Sequence, residues 1–297
     1  MLLFKKKPCN NHLSIMVLSI TFMIAAFIVF TPKMETAAKE VKTKEEFVTC
    51  VNKHLLNRRT TIKIESRLKL FDAEIGQLLE MAKKLKNAKE SSSGDYCIEN
   101  IVSVHYDSEE DDTGLSHYLI NVQYLDNLYE CRYVSRISKK VVKKIIFKND
   151  YHKAKYLANW IMNRISYDSR KQNYTAAKAL QTGKGTCMAY AMLFQKLASD
   201  AGLESKAVRG YVGQDYHIWN IVKINKKYYH IDVCFMDSFS REDYFLFGND
   251  FCNKKRIVCN GYDTSYVSRN NCRIKGEILF FDKKKQKQGD LPYKIFL

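Results

Sequence analysis

The sequence is poor in proline, with only 3 residues in 297, and it contains no internal repeat or low-complexity segment. Breaks between its helices and strands must therefore rest on glycine, asparagine and serine. Hydrophobic residues make up 46% of the chain. A chain of this length and composition can bury a sizeable core, which excludes global disorder.

The sequence also has fewer acidic than basic residues. The chain has 32 Asp and Glu against 49 Lys and Arg, a formal net charge of +17. Such a surplus favours an acidic partner, such as an anionic cell-wall polymer, a membrane surface or nucleic acid. No DNA- or RNA-binding motif is present, and the lysines are dispersed along the sequence rather than striped. We therefore expect a cell-wall polymer or membrane surface as the anionic partner, and no specific nucleic acid.

The nine cysteines include no CxxC knuckle of the kind that binds zinc. Cys9 precedes the long apolar run near the N-terminus, which leaves eight cysteines beyond it. If Cys187 stays a thiol, the remaining seven cannot all pair within one chain. We therefore expect most of them to be buried thiols, and we expect no metal and no other cofactor.

A basic segment and an apolar run open the chain. Lys5–Lys7 precede the uncharged run Leu13–Phe30, and the small residues of Thr36–Ala38 offer a candidate cleavage site. The run is longer than a secretory apolar segment of about 15 residues and shorter than a spanning helix of about 20. Residues 1–38 are therefore a signal peptide or a membrane anchor, and the choice stays open. In either case the remainder is expected to be exported, as a secreted protein or one held on the outer face of the cytoplasmic membrane by residues 13–30.

Residues 39–148 are expected to form a small α+β domain. Residues 39–60 are charged and suggest a linker passing into a first helix or strand. A strand is predicted around Ile62, and apolar residues recur at helical spacing between Phe71 and Leu85. Two further strands, CIENIVSVHY and HYLINVQYL, flank the acidic loop DSEEDDTG. No catalytic constellation is evident in this span, so its role is left open.

A cysteine stands at the front of an apolar helix in the stretch GKGTCMAYAMLF. Helices are predicted at 150–167 and 175–180, and the two glycines permit a tight turn into a helix from Cys187 to about Asp200. Backbone N–H groups at a helix N-terminus stabilise a thiolate, which favours a reactive Cys187. A small hydrophobic residue of the core is the competing interpretation, and this stretch alone leaves both open.

A hairpin downstream supplies candidate partners for this thiol. Strands are predicted at 206–212, 217–224 and 227–235. Asn225 and Lys226 would join the last two strands, because asparagine suits the positive φ of a type I′ turn. In that register Trp219 faces Asp232 across the hairpin.

The same register places His217 and Asp232 on one face as diagonal neighbours, about 7–8 Å apart at Cα. It also places Cys234 opposite His217, as packing or as a second thiol. If Cys187 meets the other ring nitrogen, the three residues form a nucleophile, a base and an orienting carboxylate. His230 competes with His217, since it lies two residues from Asp232 on the same face.

Together these residues resemble the bacterial transglutaminase-like core domain, a branch of the papain-like cysteine peptidase fold. TAAKALQTGKGTCMAYAMLFQKLASDAGL is similar to its nucleophile helix, and YHIWNIVKINKKYYHID to its His-x-Trp-Asn strand and hairpin. The resemblance covers about residues 150–250. It implies Cys187 as nucleophile, His217 as general base and Asp232 as orienting residue, and it demotes His230.

The resemblance implies an α+β fold in which the nucleophile helix packs on an antiparallel sheet, with residues 149–297 as the catalytic domain. Gln181 and Trp219 are candidate oxyanion or substrate contacts. After Asp232 the chain departs from the Thr-Trp-Asp-Asp sequence common in such domains, which puts the adjoining substrate surface in doubt. The expected function is an exported, thiol-dependent acyl-transfer enzyme that acts on peptide or protein amides by hydrolysis or transamidation. The alternative is a cell-envelope binding module without turnover.

Overall fold

A computed structural model describes residues 38–85, 96, 99–255, 257–258 and 263–274. The first sheet has the strand order β1-β2-β4-β3. Its strands are β1 (Lys39–Val41), β2 (Thr61–Ser66), β3 (Ile101–Glu110) and β4 (Ser116–Tyr124), and its helices are α1 (Lys44–Leu56) and α2 (Asp72–Lys84). The two helices and the sheet enclose one hydrophobic cluster, which includes Phe47, Ile62 and Ile120.

The predicted linker at 39–60 is wrong, because this segment is folded. β1 pairs in parallel with β2, and α1 follows at once. Thr43 caps α1 by accepting a hydrogen bond from the Glu46 N–H, a contact that satisfies one of the unpaired donors of a helix start. Phe47 and Val51 then point into the core. Of the charged residues that suggested a linker, Lys44, Glu45, Glu46 and Lys53 lie on the exposed side of this amphipathic helix.

The second part of the structure contains the segment with Cys187. Its helices are α3 (Leu128–Val142), α4 (Asp150–Arg164), α5 (Ala176–Thr182), α6 (Cys187–Asp200), α7 (Val233–Ser238) and α8 (Asn249–Lys255). Its strands are β5 (Ser166–Tyr167), β6 (Lys184–Gly185), β7 (Ser205–Val212), β8 (Asp215–Ile224), β9 (Lys227–Ile231) and β10 (Ile257–Val258). β10, β7, β8 and β9 form an antiparallel sheet in that order. The predicted helix 150–167 ends earlier, at Arg164, because the next residues pair with β6.

Helix α6 is fixed to the sheet by a buried polar cluster as well as by apolar packing. The Gln195 side chain donates to the Ser205 carbonyl at 2.6 Å and accepts from the Ser205 hydroxyl at 3.1 Å and the Asn220 amide at 3.3 Å. A buried amide that satisfies both its donor and its acceptor fixes the orientation of the helix on β7 and β8. The predicted α+β class, with this helix packed on an antiparallel sheet, is confirmed.

The predictions for the N-terminal segment concern residues that the structure does not describe. The apolar run 13–30, and Thr36 and Ala37 of the candidate cleavage site, belong to residues 1–37, which the structure does not describe. Among the helices that it does describe, none has the length and hydropathy needed to cross a membrane. The division into residues 1–38, 39–148 and 149–297 stays a prediction.

Candidate active site

The hairpin of β8 and β9 has the predicted register. Ile224 pairs with Lys227 and Asn220 with Ile231, so the turn contains two residues. Both turn residues have positive φ, 48° for Asn225 and 68° for Lys226, as a type I′ turn requires.

The end of β9 differs from the prediction. The strand stops at Ile231 rather than at residue 235, and Asp232 caps the short helix α7. Cys234 therefore lies on a helix, not opposite His217 in a strand pair. It is buried in the hydrophobic cluster that includes Leu157 and Phe194, which we call the main hydrophobic cluster. Tyr190 of α6 donates a hydrogen bond to Asp237 at 2.5 Å, which ties α7 to the helix that begins with Cys187.

The structure brings His217 and Asp232 into direct contact. Nε2 of His217 lies 2.7 Å from Oδ2 of Asp232, and both side chains are buried, 0% and 1% exposed. The second carboxylate oxygen, Oδ1, accepts from the Phe235 N–H at 3.0 Å. Because both oxygens of Asp232 accept hydrogen bonds, Nε2 carries the proton shared with the carboxylate. The neutral imidazole then has its basic lone pair on Nδ1.

Two aromatic rings hold the imidazole of His217 in place. The ring of Phe235 lies 4.3 Å from it between centroids, and Trp219 stacks on it at 6.0 Å with an interplanar angle of 18°. Trp219 is itself buried, so the structure places this candidate substrate contact against His217 rather than at the surface.

The competing histidine, His230, belongs to a different hydrogen-bond network. The Trp219 indole N–H donates to its Nδ1 at 3.0 Å, and its Nε2 lies 2.9 Å from Oδ1 of Asn249. A ring that accepts at Nδ1 must donate from Nε2, so His230 is the neutral Nε2–H tautomer. Its contacts support Trp219, which in turn packs on His217.

Cys187 is the first residue of α6 and is half-buried. It packs against the cluster of Ala191, Ala207 and Ile218, and Ile218 follows His217 on β8. The N–H groups of the first helical turn lack acceptors within the helix, and they favour negative charge beside them. Gln181, the candidate oxyanion contact, is exposed on α5 in the segment that leads to this turn.

Sequence reasoning missed Asp168, which organises the loop before α5. Its buried carboxylate accepts from the backbone N–H groups of Arg170, Gln172 and Asn173 at 2.9–3.2 Å and from the Asn173 amide at 2.7 Å. Burial alone would raise the pKa of Asp168, but these hydrogen bonds outweigh it and lower the pKa below its usual value. The Asp-x-Arg-x-Gln-Asn stretch carried a signal, since Asp and Asn favour turns in which the side chain binds nearby backbone.

This loop holds the residues directly before Cys187. The Asp168 N–H donates to the Gly185 carbonyl, and the Thr186 N–H donates to the Asn173 carbonyl, both at 2.9 Å. The position of the Cys187 backbone is thus set by two hydrogen bonds from one loop.

We predict that Gly185→Ala will disturb the same turn. A Cβ at Gly185 would lie 2.9 Å from the Cβ of Ala189 and 3.0 Å from that of Ala179. Neither methyl group can rotate away, so α6 must shift, at a cost of about 1–3 kcal/mol in the free energy of unfolding. Chemical denaturation should show the loss of stability, and a changed alkylation rate of Cys187 should show the shift of α6. Gly183→Ala, strained by a φ of 72° but with open space around it, is the control, and an unchanged alkylation rate in Gly185→Ala would contradict the prediction.

No group of three or more His, Cys, Asp and Glu side chains able to hold a metal occurs among the described residues. The six cysteines within them are thiols rather than disulfides: Cys50, Cys131, Cys187, Cys234, Cys252 and Cys272. Burial raises the pKa of Cys50, Cys131 and Cys272.

Comparison with known families identifies the domain that contains these residues. Residues 130–233 match the sequence model of the Transglutaminase-like superfamily, a span that contains Cys187, His217 and Asp232. The chain contains a transglutaminase-like core. The match covers about a third of the chain, and no curated protein matches the sequence.

Three solved structures show similarity to this chain. A proposed cysteine protease from Cytophaga hutchinsonii is 13% identical, with a TM-score of 0.32 over 53% of this chain and 69% of its own. A TGase is 14% identical, with a TM-score of 0.31 over 77% and 65%. A proposed protease from Parabacteroides distasonis is 10% identical, with a TM-score of 0.27 over 57% and 39%. The chain thus spans between 39% and 69% of the length of these three structures.

Proposed function

We propose that this protein is a thiol-dependent acyl-transfer enzyme acting on peptide or protein amide bonds, with Cys187, His217 and Asp232 as its catalytic triad. The observation that carries the proposal is the buried His217–Asp232 pair, which orients an imidazole on the strand against which the helix of Cys187 packs. Buried ionisable pairs of this kind hold a general base in one tautomer and stabilise its protonated form.

The proposed reaction proceeds through a thioester. Nδ1 of His217 takes the proton of the Cys187 thiol, and Sγ attacks the carbonyl carbon of the amide. The imidazolium then returns the proton to the leaving amine as the C–N bond breaks. Water, or a second amine, attacks the thioester with His217 as base and restores the thiol.

Stabilisation of the tetrahedral oxyanion falls to the Cys187 backbone N–H in this proposal, with Gln181 as the candidate second donor. We favour hydrolysis over cross-linking and place the reaction at the cell envelope, with residues 13–30 as the export signal or anchor. The envelope assignment rests on the apolar run and on the net charge of +17.

The pH dependence of Cys187 alkylation tests the proposal on the full chain. Iodoacetamide labelling, followed by mass spectrometry of the Cys187 peptide, should give a reaction that persists well below the usual thiol pKa of about 8.5. His217→Ala should abolish this low-pH reaction, because the thiolate loses its imidazolium partner. Cys50, whose pKa is raised by burial, serves as the internal control.

A Cys187 thiol that reacts no faster than Cys50 would reject the triad. The same holds for a pH profile that His217→Ala leaves unchanged. Either result would favour the binding module without turnover.

A further inference from the structure

The turn that joins α3 to α4 carries an exposed apolar pair among lysines. Phe147 is 100% exposed and Ile146 is 59% exposed. All five lysines of the segment Lys139–Lys148 are exposed as well, and the segment contains no acidic residue. We call this segment the basic turn. A fully exposed phenylalanine within it forgoes the free energy of burial, which marks a candidate interaction surface.

The exposure of this pair is built into the fold. Val141, Val142 and Ile145 of the same segment are buried in the main hydrophobic cluster. The Ile145 N–H donates to the Val142 carbonyl, and the Lys148 N–H donates to the Ile145 carbonyl, both at 2.9 Å. With these residues anchored, the tip of the basic turn cannot fold inward without exposing three others.

Helix α3 extends the positive surface. Arg132 and Arg136 are exposed, and their spacing from Lys139, Lys140 and Lys143 places all five on one side of the helix. The opposite side packs into the core through buried residues that include Val134 and Val141. The expectation of dispersed lysines is therefore wrong here, because the fold gathers cations that the sequence spreads over three helical turns. The next acidic residue along the chain is Asp150, which lies outside the basic turn. Its Oδ1 is 4.0 Å from Nζ of Lys153 on α4.

We propose that the basic turn docks on a lipid bilayer that contains anionic lipid. Phe147 and Ile146 insert between headgroups, and the surrounding lysines contact lipid phosphates. A soluble anionic polymer would satisfy the charges but offers nothing to the apolar pair, whereas a bilayer surface supplies both.

The test must report contact at the basic turn itself, because residues 13–30 are expected to bind vesicles on their own. Phe147→Trp, in the full chain, places a fluorophore at the tip. Its emission is obtained by difference from the wild type, which contains two tryptophans. Vesicles of phosphatidylcholine alone are compared with vesicles that also contain phosphatidylglycerol, each with and without brominated lipid as a quencher. Phe71→Trp is the matched control, since Phe71 is 77% exposed but lies beside α2.

We expect a blue shift and bromine quenching for Phe147→Trp in phosphatidylglycerol vesicles, and their loss in phosphatidylcholine alone or at high salt. Changing Lys139, Lys140, Lys143 and Lys144 to Gln in the same background should remove the quenching. Absence of quenching in both vesicle types overturns the proposal. The proposal is also overturned if the four lysine substitutions leave the quenching unchanged, or if Phe71→Trp is quenched as strongly as Phe147→Trp. A blue shift produced by a lipid-free glycerol phosphate polymer but not by vesicles would assign the surface to a polymer instead.

Discussion

Replacement of Cys187 by alanine is expected to abolish acyl transfer and to leave the fold intact. Without the thiol no thioester forms, and neither His217 nor Asp232 can substitute as nucleophile. Cys187 is only half-buried at the first position of α6, where alanine fits the helix. We therefore expect the free energy of unfolding to change by less than about 1 kcal/mol.

A peptide and amine panel measures this loss, with release of free amine and incorporation of a labelled amine as separate readouts. Cys50→Ala is the matched control, because Cys50 is buried in the core of the first sheet. That variant should lose about 1 kcal/mol of stability and keep its activity. Turnover retained by Cys187→Ala would remove this residue from the mechanism, whereas a similar loss of activity in both variants would point to the fold.

The hairpin shows what the sequence specifies well. A two-residue turn with Asn at its first position determines the pairing of β8 with β9, and a change of one residue would turn every side chain to the other face. The proximity of His217 and Asp232 follows from that register, which is paired as far as Ile231, and from the position of Asp232 at the start of α7. The bounds of helix α6 could also be predicted from the sequence. Its apolar run begins at a glycine-rich turn and ends before Gly202, whose φ is 76°.

The segment after the hairpin shows where local patterns mislead. Val233, Cys234 and Phe235 favour a strand by composition, yet Asp232 caps a helix there. Packing decides the outcome, because α7 is held against α6 by the Tyr190–Asp237 hydrogen bond. That partner lies 47 residues away in sequence, so no short window contains it.

The Asp168 loop and the basic turn were missed for a related reason. The Asp168 loop has no hydrophobic period, which is the main signal for secondary structure. The period of α3 predicts a helix, but it does not by itself show which cations the exposed side brings together. Asp168 acts through backbone N–H groups, which every sequence supplies. The cations of α3 form one surface only once the helix bounds and the buried side are known.

Asp168→Ala is expected to destabilise the protein and to slow Cys187 alkylation together. The substitution leaves four donors without an acceptor: the N–H groups of Arg170, Gln172 and Asn173 and the Asn173 amide. A fully buried unsatisfied donor costs about 1–3 kcal/mol, but these four hydrogen bonds are only partly buried and water can replace the lost acceptor. We therefore expect a total loss of about 1–3 kcal/mol in the free energy of unfolding. The loop also binds Gly185 and Thr186, and the position of Cys187 should loosen with it.

The pH dependence separates the charge of Asp168 from its hydrogen bonds. The folded state lowers the pKa of this carboxyl, so its contribution to stability is fully present above the unfolded pKa of about 3.9 and is lost as the pH falls through the folded value. Asp168→Asn retains one acceptor oxygen, which can replace Oδ2 and its three donors, while the new NH₂ faces the Arg170 N–H. This variant should be less destabilised than Asp168→Ala near pH 7.

Urea unfolding of the wild type and both variants between pH 7 and about pH 3 makes the comparison. The difference in stability between wild type and Asp168→Asn should shrink below about pH 4, because protonation gives the wild type the same neutral group. A difference that stays constant with pH would show that the ionised carboxylate contributes nothing. Alkylation of Cys187 at its wild-type rate in folded Asp168→Ala would show that the loop stabilises the fold without positioning the thiol.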